Sequence, residues 1–434
     1  MAKELIYWDA NACSRVRPEA VSAFKEILNH SRALNPSSIH QEGRYARTLL
    51  REARENILDL FDLSSDDFEL VFVSGGSEAS NSLVNGFLSP YDFRNGYESS
   101  VRKRHAISSS IEHPSIIEPL KRLSQTGIDI SFVSPDNRCY ISPSKVISEL
   151  RNETELVTVM LANNETGAIQ RLTDITIELR SNGYQGAVVS DSSQAPSKSI
   201  INYQEIFKSG VDSISLSAHK MGAIPGIGAF ILNKSSTCRF FEPLILGGSQ
   251  ENRKRAGTEF VAGAYAWGKV AKSVKKNLVS ETKRINQLRI DLYNLLKSEI
   301  RDLDLFTEIG SDSFLKEHDT NQKCESLCNT LLLRIPGCRA DDLTVALDIE
   351  GVCVSMGSAC SSGRQDISHV LEAMGLTKDI ARECLRISLD WDSDEEQIRE
   401  GARRFVNVVK NMRKYKSNAD SSESQSISSN YSGL

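Results

Sequence analysis

Ala187-Val-Val-Ser-Asp-Ser-Ser-Gln194 and the later Ser213-Ile-Ser-Leu-Ser-Ala-His-Lys220 decide the fold. Each opens as a short apolar or β-branched run that favours extended backbone, too short for an ordinary helix, and closes in polar residues able to do chemistry. The same pattern recurs at Glu69-Leu-Val-Phe-Val73, His105-Ala-Ile-Ser108, Leu156-Val-Thr-Val-Met-Leu161 and Gly228-Ala-Phe-Ile-Leu232, with amphipathic stretches between. Strands alternating with helices predict an α/β fold built on a large, mostly parallel sheet. Ligands of such sheets bind outside the carboxyl ends of the strands. Asp191, Gln194, His219 and Lys220 all fall there.

Beyond a long helical stretch near 262–300, Thr330-Leu-Leu-Leu-Arg-Ile335, a helix-like run from Ala340 to Leu347 and Leu385-Arg-Ile-Ser-Leu389 predict a smaller α/β unit. The expected division is a large domain over 15–265, a small domain made of 1–14 plus 266–416, and a disordered Ser-rich tail over 417–434. Ser89 to Arg104 reads as a charged surface excursion. The net charge of −5 over 434 residues offers no general attraction to nucleic acid or anionic membranes, so the expected partners are small molecules and proteins. Nine cysteines, an odd number without tight paired spacing, argue against a secreted disulfide framework. The first residues carry no apolar signal-like run, so a cytoplasmic location is the expectation. Cys324 and Cys328 stand four apart with no second pair nearby, and no metal site is expected.

Three segments carry chemistry. Ser74-Gly-Gly-Ser-Glu-Ala79 follows a strand and opens a helix, which places backbone N–H groups of Gly76 and the hydroxyl of Ser77 where a phosphate can sit. Asp191 follows one strand and Lys220 a later one. Singly, these read as a turn, a helix cap and a solvated lysine. Together they are what an aldehyde cofactor with a 5′-phosphate and a pyridine ring requires, lysine for the Schiff base and aspartate for the protonated ring nitrogen.

In these segments the chain resembles the NifS/IscS-type cysteine desulfurases, fold-type-I enzymes of the class-V aminotransferase family that use pyridoxal 5′-phosphate (PLP). The resemblance runs from Tyr7-Trp-Asp9 to about Tyr415 and includes Asn35-Pro-Ser-Ser-Ile-His40, Glu112-His-Pro114, Asn163-Asn-Glu-Thr-Gly167, Arg255-Ala-Gly-Thr258 and Gly357-Ser-Ala-Cys360. It implies that Lys220 is the Schiff-base lysine, that Asp191 pairs with the ring nitrogen, and that Ser77, Ser217, His219 and the Gly76 backbone hold the phosphate. It further implies that His113 stacks on the ring, that Gln194 and Asn164 contact the ring oxygen and the substrate side, and that Arg386 clamps the substrate carboxylate. Thr258 would complete the phosphate site of a second subunit, so a homodimer is expected. The implied reaction turns L-cysteine into alanine, with sulfur held as a persulfide on Cys360 for an acceptor or scaffold protein in iron–sulfur cluster assembly or in tRNA or cofactor thiolation. The alternatives are a selenocysteine lyase or aminotransferase-like PLP enzyme, or an inactive binding or regulatory homologue. The chain departs from the family pattern at Ser77 (Thr is usual), Cys13-Ser14 (a Thr pair), and Leu34 and Asp390 (Gly at each).

Overall fold

The computed structural model describes residues 4–30, 32, 34–88, 103–236, 241–307, 325–356 and 367–430, the last stretch without side chains beyond 415. Cys360, Cys324, most of the charged excursion (89–102) and the last four residues lie outside the described residues.

One seven-stranded sheet organises the larger part. From edge to edge its strands are Phe68–Val73, Gly228–Asn233, Ser213–Ser217, Ala187–Asp191, Thr154–Thr158, Arg104–Ser109 and Ile128–Val133. All run parallel except Gly228–Asn233, which is antiparallel to both neighbours. The fold class expected from sequence is the one found. Ile128–Val133 is an additional edge strand; its partly exposed residues blur the apolar run that marks the central strands. The expected strand to Leu161 ends at Thr158.

Side-chain alternation along the strands builds a core on each face of the sheet. Leu70, Phe72, Ile107, Val157, Val188, Ile214 and Ile231 point to one face, where they pack with residues of the helices Gln41–Leu60, Leu172–Ser181 and Val261–Glu299. Val71, Val73, Ala106, Leu156, Val189 and Phe230 point to the other, beneath the helices Gly76–Phe87 and Pro114–Ser124.

A second sheet of four strands, in the order Asp304–Leu305, Thr330–Arg334, Cys384–Ser388 and Ser355–Met356, anchors a separate core. That core takes in Ile6 and Trp8 from the chain start. The helix Val261–Glu299 serves both: Val261 to Val274 pack on the large sheet, Ile285 to Leu296 in the second core. The changeover between the two cores therefore falls within this helix, between Val274 and Ile285. The final helix runs from Glu395 to Asn430. Residues 417–430 contain neither Pro nor Gly, and an existing helix gains one hydrogen bond for each residue it adds.

Candidate active site

The site forms at the carboxyl ends of the parallel strands. Asp191 closes its strand, buried, and its Oδ1 accepts the Ser193 amide at 2.9 Å, which fixes the carboxylate. Ser217 closes the neighbouring strand, with its Oγ 3.0 Å from His219 Nδ1. Lys220 follows on the short 3-10 turn Ala218–Met221, which ends at Gly222. Gly222 has φ +83°, and a Cβ there would stand 2.8 Å from the Arg17 side chain, so the turn requires glycine. Lys220 Nζ donates to the carbonyls of Asn11 and Ala12, each at 2.7 Å. Burial first, then Lys220 and Lys198, push His219 down to about 4, which keeps its imidazole neutral at physiological pH.

The strand Phe68–Val73 delivers the helix Gly76–Phe87 to the same edge. Its N-cap is Gly75, with no side-chain cap, so its first-turn amides are open to an anion. A Cβ on Gly76 would lie 2.9 Å from Ser217 Cβ and 3.3 Å from Ser193 Oγ, so the helix start sits flush against the two serines only because residue 76 is glycine. Ser77 is exposed on that first turn. Glu78 is turned aside: Arg255 Nε and the Ser74 amide bond its carboxylate at 2.8 and 2.7 Å. These bonds outweigh partial burial and hold Glu78 below the usual carboxylate range.

His113 caps the helix Pro114–Ser124. Its Nδ1 accepts the Ser115 amide at 3.1 Å and lies 2.8 Å from the Ser115 hydroxyl, so a neutral ring carries its proton on Nε2. Burial keeps this histidine neutral against the pull of Asp191, with Lys220 and His369 adding to the downward push. The adjacent Glu112 is fully buried and pushed up to about 8 by that burial; its Oε1 accepts from Ser109 Oγ at 2.5 Å and from the Met160 amide at 2.6 Å.

Arg386 lies within the strand Cys384–Ser388 at 2% exposure. Nη2 donates to Asp9 Oδ1 at 2.7 Å and Nη1 to the Asn164 carbonyl at 3.0 Å. Its Nε is buried without a partner among the described residues, leaving a donor for an anion. Gln194 Nε2 donates to the Asn11 carbonyl at 3.0 Å. Thr258 is exposed.

The sequence reading missed four residues that the fold brings to the site. Asn11 supplies the carbonyl shared by Lys220 and Gln194. Lys198 bonds Gln194, and nothing in the sequence around it marked it. Asp9 holds Arg386 and lies in the matched Tyr7-Trp-Asp9 segment. Glu165 accepts from Ser368 Oγ at 2.5 Å, and burial pushes its carboxyl up to about 7.

Two departures from the family pattern find structural reasons. Asp390 Oδ1 accepts from Ser14 Oγ and Oδ2 from the Arg15 amide, each at 2.6 Å, so it fastens the N-terminal segment beside the site. Leu34 packs against the main core.

The chain matches the class-V aminotransferase family over residues 6–400. It is 32% identical over 396 residues to a cysteine desulfurase IscS of Dictyoglomus turgidum, covering 91% of this chain and 92% of that protein. The chain belongs to the cysteine desulfurases of the class-V aminotransferase family. A NifS-like protein of Rickettsia africae superimposes on this desulfurase with TM-score 0.77 at 25% identity, over 93% of this chain and 99% of the other. Another solved NifS-like protein gives TM-score 0.80 at 26% identity, over 94% and 99%. The family depends on PLP, and the desulfurase offers that cofactor fitting parts: an uncapped helix start for phosphate, an amine for the aldehyde and a fixed carboxylate for the ring nitrogen.

Proposed function

We propose that this chain takes sulfur from L-cysteine, releases alanine, and carries the sulfur on Cys360 as a persulfide. The observation that carries the reading is that Lys220, Asp191 and the uncapped helix at Gly76 all lie at the carboxyl ends of strands of one sheet, with Asp191 and Ser215 in register on paired strands and Gly76 set against Ser217 and Ser193. The first-turn amides, Ser77, Ser217 and neutral His219 would hold the cofactor phosphate. Asp191 would hold the ring nitrogen, His113 the ring face, and Gln194 the ring oxygen.

PLP supplies an electron sink for the bonds broken at the substrate's α-carbon and β-carbon. Arg386, steadied by Asp9 and Asn164, binds the substrate carboxylate and so fixes which bond of the α-carbon faces Lys220. Lys220 Nζ takes the α-proton. The Cys360 thiolate forms a bond to the substrate sulfur as the carbon–sulfur bond breaks; the electron pair left on carbon takes a proton and alanine departs. His113, with its transferable proton on Nε2, supports the proton movements on the ring face.

We further propose a homodimer, in which exposed Thr258 reaches a second subunit's phosphate site, and a cytoplasmic location. No described helix is long and apolar enough to cross a membrane. The sulfur acceptor is a protein thiol or scaffold of the iron–sulfur or thiolation type. The test is alanine formation from L-cysteine with PLP present. Wild type is expected to produce alanine and Lys220→Ala none; equal rates in the two would overturn the proposal.

A further inference from the structure

Lys198 has no part in the chemistry above, yet it is a buried amine inside the site. It is 5% exposed, and its Nζ donates to Gln194 Oε1 at 2.7 Å and to Asn11 Oδ1 at 3.0 Å. No carboxylate bonds it among the described residues; the charged and titratable groups facing it include Lys220, Asp390, Arg386, Cys328, His219 and Cys13. Burial, reinforced by Lys220, pushes it down to about 7. A well-packed apolar side chain fills such a position at lower cost. The amine must therefore do something that an apolar group would not.

Its two bonds show what. A side-chain amide has ends of nearly equal shape but opposite hydrogen-bonding sense, and a lysine amine, charged or neutral, offers at least two N–H donors. Lys198 therefore turns the oxygens of both amides toward itself and their nitrogens away. Asn11 Nδ2 then donates to Thr330 Oγ1 at 2.8 Å and to the Asn164 carbonyl at 3.1 Å. Gln194 Nε2 donates to the Asn11 carbonyl at 3.0 Å, the carbonyl that also receives Lys220 Nζ. Among the described residues the other N–H of Gln194 has no acceptor and is left for a ligand.

We infer that Lys198 is a positioning residue: it locks the Gln194 amide so that an N–H group, and not the carbonyl, meets the ring oxygen of the cofactor. The inference rests on the cofactor placement proposed above. Without Lys198, the Gln194 oxygen loses its donor and only the bond from Nε2 to the Asn11 carbonyl still opposes a turn of the amide, a turn that would set two oxygens face to face.

The test uses the loaded holoenzyme and an absorbance titration of the bound cofactor, which reads the proton on the Lys220 nitrogen. A donor from Gln194 competes for the ring oxygen that helps to hold that proton, so losing the donor moves the titration to higher pH. Lys198→Met and Gln194→Leu are each expected to raise the midpoint by about one unit, a tenfold change in proton affinity. The double variant should move no further than Gln194→Leu alone. Lys198→Ala carries the same expectation should the methionine variant not fold. An unmoved midpoint in folded Lys198→Met, or two shifts that add in full in the double variant, would overturn the inference; the second result would mean that the amine acts by charge and not through Gln194. A visible cofactor band that survives Lys220→Ala would instead overturn the cofactor placement itself.

Discussion

Replacing Arg386 with alanine separates binding from stability at one residue. The guanidinium is almost fully buried, 2.7 Å from Asp9 Oδ1 and 3.0 Å from the Asn164 carbonyl. Losing a charge-assisted bond to the substrate carboxylate costs about 1.5–3 kcal/mol, which is roughly ten- to a hundredfold in kcat/KM. The same change takes the guanidinium from Asp9 Oδ1, leaving the carboxylate the Ser355 hydroxyl on Oδ2. Breaking a fully buried ion pair costs about 3–5 kcal/mol, and the cost here is smaller because the Asp9 side chain keeps 18% of its exposure. Arg386→Gln combined with Asp9→Asn removes both charges, so it should recover most of the melting temperature while leaving KM as high as in Arg386→Ala. The assay is initial-rate alanine formation against L-cysteine concentration, with thermal melts and cofactor absorbance on the same samples. An unchanged KM in a folded, cofactor-loaded Arg386→Ala enzyme would refute the carboxylate role, as would a KM that recovers together with stability in the double variant.

Gly76→Val should weaken PLP binding at least tenfold, measured by cofactor titration of the apoenzyme, because its Cβ would stand 2.9 Å from Ser217 Cβ and its methyls would crowd the helix start. Glu112 carries a signed pH effect. Its folded-state pKa, about 8 against an ordinary 4.5, means that the native state holds a proton which the unfolded chain has released between those values. Its contribution therefore falls as pH rises from about 4.5 to about 8, and Glu112→Gln should flatten the decline in Tm over that window; an unaltered slope would count against a protonated Glu112. Sedimentation of the PLP-loaded protein should give a dimer, and a fully loaded monomer would contradict the role given to Thr258.

Strand ends were the legible part of this sequence. Asp191 and Lys220 could be placed because each follows its own strand within a few residues, so local pattern already fixed their position at the sheet edge. The glycine turn before Ser77 was legible for the same reason. Asp9 and Arg386 are 377 residues apart, and nothing local to either marks the pair. Nothing local marks Lys198, whose amine is shared with Asn11, 187 residues away. The edge strand Ile128–Val133 escaped because one-sided burial leaves exposed positions within its apolar pattern.

The most direct test of the account is the destination of the sulfur. Cofactor-loaded enzyme is incubated with L-cysteine without reductant, digested, and each of the nine cysteines is read by mass spectrometry. One additional sulfur is expected on Cys360, none in Lys220→Ala, and alanine release that falls by orders of magnitude in Cys360→Ser, whose hydroxyl is a far poorer nucleophile toward sulfur than a thiolate. Sulfur found instead on another cysteine, or alanine released by Cys360→Ser at the wild-type rate, would contradict it.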